Sequence, residues 1–282
     1  MNNRKKTQCA SNLIYNLGDV SASILLIDVS NTFTKLALAK QGKIARVTRI
    51  PTADLSKTPI PKSGFSLAII SSVVPKADAL LRKKINGPLI WVDHKVDSGV
   101  TINYPNPASI GADRLANAAA AVSLSRLPAI VVDFGTAVTF DVINTSGCYL
   151  GGVIAPGLPT AAAALHERTA LLPLARIRKT SSSVGKSTGE AIRIGILLGA
   201  VGMVREVISC ITRDNFKGKS PTVIATGGDA NLIASLAIEN GGGKIFDLVD
   251  PLLTLRGLLV IAVNSRLYKR TIAKTKVNGG GR

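Results

Sequence analysis

The sequence predicts an α/β protein built as two duplicated halves, and three observations lead to that reading. A strand–Asp–turn–strand unit occurs twice, as LLIDVSNTFTKLAL (25–38) and as IVVDFGTAVTFDVI (130–143). Short continuous apolar runs, the mark of buried strands, alternate along the chain with stretches of helical spacing. The pattern also restarts just past Pro128. Two αβ halves that each open with such a hairpin describe a duplicated ribonuclease-H-like architecture, in which a cleft between the halves would hold a nucleotide.

Element by element, residues 1–23 are polar and aperiodic and read as a flexible extension. ILLID (24–28) is a buried strand, SNTFT a turn, and KLALAK (35–40) a second strand closed by Gly42, a hairpin signal. FSLAIISSVV (65–74) is a further buried strand stopped by Pro75, KADALLRKKI (76–85) a helix, PLIWVD (88–93) a strand, and GADRLANAAAAVSLS (111–125) an Ala-rich helix. Past Pro128, AIVVDF (129–134) and VTFDVI (138–143) form the second hairpin, followed by YLGGVIAP (149–156). A long helix starts at Thr188 with an apolar stripe at Ile192, Ile196, Gly199, Ala200, Met203 and Val207. TVIATGG (222–228) is a strand entering a glycine turn, NLIASLAIE (231–239) a helix and PLLTLRGLLVIAVNSRL (251–267) a closing helix. The expected domains are therefore 24–126 and 127–270, with a basic, disordered tail at 271–282.

Composition narrows the class. With 46% hydrophobic and 18% charged residues the chain is globular, not disordered. Aromatics are only 4%, which argues against a base-stacking platform. Cys9, Cys148 and Cys210 are far apart and form neither a disulfide framework nor a zinc motif. Arg4, Lys5 and Lys6 precede no apolar stretch of signal-peptide type, and the most apolar segment, AIRIGILLGAVGMV, contains Arg193. A cytoplasmic protein without a membrane partner is expected. The formal charge of +18 comes from scattered basic residues, so no specific nucleic-acid partner is expected, only weak attraction to polyanions.

The two hairpins carry the chemistry. A tight turn of small residues after a buried strand exposes backbone N–H groups to a phosphate, and an Asp at the strand end supplies a hard oxygen for Mg²⁺ or a monovalent cation. Thr32, Thr136 and Thr139 offer hydroxyls and Lys35 a point charge. Either unit alone is ordinary turn chemistry; one in each half is not. GADR (111–114) sets Asp113 and Arg114 in the first turn of a helix, where the dipole also favours an acid. VGKST (184–188) is no phosphate-binding P-loop, because Thr180 stands where the motif needs glycine. His94 and His166 lack metal-ligand spacing and read as structural, and Trp91 as core.

Taken together, DVSNTFTK (28–35), ISSVVP (70–75), YPNP (104–107), GADRLANA (111–118), VVDFGTAVTFDV (131–142), YLGGVIAPG (149–157), GKST (185–188), ATGG (225–228) and DPLLTLRGL (250–258) resemble the type III pantothenate kinase family, in the family's order. The resemblance spans about residues 24 to 260 and implies two actin-like ATPase domains of the acetate kinase/sugar kinase/Hsp70/actin superfamily. It implies phosphorylation of pantothenate by ATP to 4'-phosphopantothenate, the first step of coenzyme A biosynthesis, by direct in-line transfer. On the same ground Asp28, Val29, Ser30, Asn31, Thr32, Phe33, Thr34 and Lys35 form the first phosphate loop, with Asp28 near Mg²⁺ and Lys35 near the phosphates, and Thr136 also touches ATP. Tyr104, Gly111, Ala112, Asp113, Arg114 and Thr188 contact pantothenate, with Asp113 as general base on its hydroxyl. Asp133 holds K⁺ or NH₄⁺, and the chain is a homodimer with the helix after GKST near the interface.

One departure stands out. The family's first loop reads Asp-x-Gly-Asn-Thr, and Ser30 replaces the glycine. A Ser forced into positive φ or against a phosphate costs about 1 kcal/mol, so weaker ATP binding is expected. Two other readings are a kinase of the same superfamily acting on another small alcohol, and a transcription-accessory protein suggested by the charge. YPNP with GADR argues against the first, and the presence of Asp28, Asp113 and Asp133 against the second.

Overall fold

The structure, a computed structural model, describes residues 8–9, 22–180, 182–270 and 272. The expected extension and tail lie outside these residues, apart from 8–9, 22–23 and 272. The described chain divides into two units. One comprises residues 22–126, 147–149 and the segment from 252 onward; the other comprises 127–146 and 150–251, with Gln8–Cys9.

In the first unit, β2 (Ile24–Val29), β3 (Phe33–Lys40), β4 (Lys43–Pro51), β5 (Leu67–Ser72) and β6 (Leu89–Trp91) form a sheet of order β4-β3-β2-β5-β6. β2 and β3 are an antiparallel hairpin, while β5 joins β2 in parallel, as a crossover through intervening chain requires. β2 is buried along its whole length, which is why it reads as an unbroken apolar run. Leu25, Ile27, Val29, Ala68 and Ile70 face α1 (Pro75–Lys84) through Ala77 and Leu81. β4 has no sequence signal, because its basic residues Lys43, Arg46 and Arg49 break any apolar alternation; it is an edge strand, where such charges discourage strand addition.

The opposite face of that sheet is covered by α2 (Ala112–Ser123) and α6 (Leu253–Asn264). α6 therefore belongs with the first unit and not with 127–270 as the sequence suggested. The reason is close helix packing: a Cβ on Gly257 would fall onto the Ala116 carbonyl, so only glycine lets the two backbones approach. Thr254 Oγ1 donates to Asn117 Oδ1 at 2.9 Å, both side chains being buried, which fixes the register of that contact.

In the second unit, β8 (Ala129–Phe134) and β9 (Ala137–Ile143) make the second hairpin, and β10 (Cys148–Pro156) follows. β11 (Thr222–Gly227) lies parallel to β8, and β12 (Leu248–Val249) parallel to β11, with β1 (Gln8–Cys9) beyond it. Ile130, Val132, Phe134, Val138, Phe140 and Val223 pack against α4 (Thr188–Phe216) and α5 (Ala230–Ala237). α3 (Leu158–Glu167), which the sequence reading omitted, packs on α4. By length and composition α4 suffices to cross a membrane, with a mean hydropathy of 1.9 over its best window. It nevertheless contributes Leu197, Ala200, Val201, Val204 and Ile211 to this core. Short β7 (Thr101–Ile102) pairs in parallel with Cys148–Tyr149.

Candidate active site

The turn after β2 is tied at several points. Ser30 N donates to the Phe33 carbonyl at 3.1 Å, which closes the turn around Asn31 and Thr32, both exposed. Thr52, the residue after β4, staples it: its N–H donates to the Thr32 carbonyl and its Oγ1 to the Ser30 carbonyl at 2.7 Å, while Thr34 Oγ1 lies 3.0 Å from the same hydroxyl. Thr34 and Val29 are buried, so their side chains serve the fold and only their backbone is available to a ligand. Thr52 escaped the sequence reading because its contact is made through strand pairing. Ser30 is not among the described non-glycine residues with positive φ, which are Gln41, Ser125 and Lys217. The conformational strain expected of a serine there is absent, and only the question of phosphate clearance remains.

Register builds a polar row across the sheet at this turn. Asp28 stands opposite Lys35 on one side and Ser71 on the other, and Lys35 stands opposite Arg49. Directly paired residues project from the same face. Asp28 is 3% exposed, Lys35 half-buried and Arg49 exposed, and the Ser71 hydroxyl is buried with no hydrogen-bond partner among the described residues. Phe33, on the same face as Lys35, lies under the guanidinium of Arg49, 3.6 Å from its ring centre.

The second hairpin makes a corresponding row from different residues. Asp133 stands opposite Thr139 on β9 and Thr226 on β11. Thr226 is fully buried, and its Oγ1 has no hydrogen-bond partner among the described residues. Gly227, at φ +92°, hugs this point: a Cβ there would lie 2.5 Å from Asp133 Oδ1 and as close to the Phe134 backbone. The glycine of ATGG is thus demanded by the Asp133 turn itself. Thr136 is exposed at the tip, and its carbonyl accepts hydrogen bonds from Gly157 N and Thr160 Oγ1.

A third cluster forms in the first unit. Asn103 N donates to the Tyr149 carbonyl, continuing the β7 pairing and bringing Tyr104 edge-on to Tyr149 with ring centres 6.3 Å apart. Arg114 reaches over the same Tyr149 ring, 5.8 Å from its centre. The structure thereby unites Tyr104 and Arg114 around a buried tyrosine that sequence reasoning did not single out. Gly111 is the N-cap of α2 and Ala112 its first, buried residue. A Cβ on Gly111 would lie 2.5 Å from Asp113 Oδ1, so the glycine leaves room for that carboxylate, which accepts from Arg114 N at 2.8 Å. Asp113 is half-buried at the positive end of the helix, where an anion is favoured.

Thr188 belongs to the second unit, exposed at the first position of α4. The GKST segment around it is a helix start: Ser187 Oγ accepts from Glu190 N, and Glu190 Oε2 accepts from Lys186 N at 2.7 Å. Among the described residues no group of three or more His, Cys, Asp or Glu side chains could hold a metal ion.

Comparison with known proteins accords with these features. A sequence model of the type III pantothenate kinase family matches residues 24–210. A type III pantothenate kinase from Methylacidiphilum infernorum is 41% identical over 242 residues, covering 84% of this chain and 87% of its relative. One from Akkermansia muciniphila is 41% identical over 243 residues, covering 84% and 97%, and one from Bacillus cytotoxicus is 39% identical over 258 residues, covering 84% and 95%. Among solved structures, a Baf family transcriptional activator from Campylobacter jejuni superposes with a TM-score of 0.56 at 18% identity, covering 90% of this chain and 99% of the other. Ethanolamine utilization protein EutJ from Carboxydothermus hydrogenoformans superposes with a TM-score of 0.50 at 15% identity, covering 85% and 90%. Both likenesses show the fold alone, an α/β architecture with two mixed sheets. Its matched motifs, its three polar clusters and its extensive identity to these enzymes make this chain a member of the type III pantothenate kinase family, kinases that transfer phosphate to the alcohol pantothenate in coenzyme A biosynthesis.

Proposed function

We propose that this chain phosphorylates pantothenate by direct in-line transfer from ATP, with Asp113 as the general base on the attacking hydroxyl. The observation that carries the reading is the Gly111–Asp113–Arg114 start of α2. Glycine clears a space for the carboxylate, the Arg114 N–H holds one of its oxygens, and Tyr104 and Arg114 meet beside it around Tyr149. A carboxylate so held accepts the hydroxyl proton as the new O–P bond forms, and Arg114 suits the carboxylate of pantothenate. Catalysis then comes from positioning and charge neutralisation, with no covalent enzyme intermediate.

The phosphates of ATP lie against the turn 28–35, where Lys35 supplies positive charge. Asp28, at the strand end in the same row, suits the Mg²⁺ that accompanies ATP, which spreads the phosphate charge when bound. Thr136, exposed at its own turn, contacts the nucleotide, and Thr188 the pantothenate. Asp133 fits a monovalent cation, K⁺ or NH₄⁺, because its carboxylate is flanked by the hydroxyls of Thr139 and Thr226; the buried Thr226 Oγ1, without a hydrogen-bond partner among the described residues, is an oxygen suited to such an ion. The working unit is a cytoplasmic homodimer. Its support is the open face of α4, where Gly195, Leu198, Gly199 and Gly202 leave room for a partner helix to approach closely.

The test is Asp113→Asn in a coupled kinase assay with ATP and pantothenate. We expect a folded protein with near-normal pantothenate binding and kcat lower by roughly 10²-fold or more, the range of general-base catalysis. Near-normal turnover would reject the assignment.

A further inference from the structure

Arg49 faces Lys35 directly across the β3–β4 pair, so two cationic side chains leave the same face of the sheet on neighbouring strands. Opposed residues of an antiparallel pair have Cβ atoms about 5 Å apart, and like charges in such a pair destabilise it. Neither side chain makes a hydrogen bond or ion pair with a described residue. Arg49 instead lies on the ring of Phe33, which shares its face. Lys43 likewise opposes a cation, Lys40, at the hairpin end of the pair, but neither Lys43 nor Arg46 rests on a ring or shares the row of Lys35. Arg49 differs from them in the ring beneath it and in its place beside Lys35 next to the turn.

We propose that Arg49 is a second phosphate-binding residue of this kinase, acting with Lys35 on the polyphosphate tail of ATP. Two cations side by side next to a phosphate turn, with the single carboxylate of Asp28 in their row, suit an anion carrying several charges. Their chemistries differ usefully: Lys is a mobile point charge, whereas the planar Arg fork can take two phosphate oxygens at once. The Phe33 ring holds that fork in advance, so less freedom is lost when the nucleotide arrives. The inference rests on the reading that the turn 28–35 receives the ATP phosphates.

The experiment compares Arg49→Gln, Arg49→Lys and Lys35→Gln in steady-state kinetics, together with thermal unfolding without nucleotide. For Arg49→Gln we expect KM for ATP to rise tenfold or more, KM for pantothenate to stay within twofold, and the melting temperature to hold or rise as the like-charge contact disappears. Arg49→Lys should recover part of the loss. An unchanged KM for ATP would overturn the proposal. So would a lower melting temperature with both KM values raised together, since that is the signature of a structural residue. If Lys35→Gln raises KM for ATP and Arg49→Gln does not, this inference alone fails. If neither does, the phosphate reading of the turn fails with it.

Discussion

The two hairpins repeat one local plan and fill it with opposite chemistry. Each sets an aspartate at the end of a buried strand, Asp28 or Asp133, and each places on the neighbouring parallel strand a fully buried hydroxyl without a hydrogen-bond partner among the described residues, Ser71 or Thr226. On the antiparallel side they diverge. Asp28 meets Lys35 and then Arg49, whereas Asp133 meets Thr139. A row already holding two cations gains nothing from a bound monovalent ion but suits phosphates. A carboxylate paired with hydroxyls on both neighbouring strands suits a small cation. The two hairpins share a scaffold, and one strand of side chains in each half makes their rows chemically different.

If that division is right, the largest effect should follow from Asp133→Ala. We expect it to abolish activation by K⁺ or NH₄⁺, measured as the ratio of rates in K⁺ and Na⁺ buffers. Equal rates of the unaltered enzyme in the two buffers would remove the distinction between the rows. A smaller change, Thr226→Val, sharpens the point because it moves two quantities in opposite directions. Removing a buried, unpartnered hydroxyl should stabilise the protein by about 1 kcal/mol, seen as a higher melting temperature. The concentration of K⁺ needed for half-activation should meanwhile rise several-fold. A variant with unchanged K⁺ response would make Thr226 a packing residue only.

The smallest effect is expected at Ser30. Its backbone does not need positive φ, its N–H is already spent on the Phe33 carbonyl, and its own carbonyl accepts from Thr52. Ser30→Gly should therefore change KM for ATP by no more than about threefold, since glycine would relieve little strain and would loosen the turn. A tenfold fall in KM would mean that the side chain itself crowds the phosphate.

Much of this was legible in the chain because it is local. The strands ending in Asp28 and Asp133 are unbroken apolar runs, and Asp113 announces itself in the first turn of an Ala-rich helix. What escaped was short, polar or joined through space. β4 hides behind its arginines, β7 has only two residues, and Tyr149 matters because that short strand brings Tyr104 to it.

The sequence by itself determined the fold class, the order of the motifs and the identity of the charged groups, since periodicity and residue type are properties of short windows. Only the tertiary structure decided which of those groups share a row. It paired Lys35 with Arg49 and Asp133 with Thr226, stapled the first turn with Thr52, and returned α6 to the first unit against α2. The physical reason is strand register and close packing. A one-residue slip would turn every side chain of a strand to the other face, and that alignment is set by contacts between segments distant in the chain.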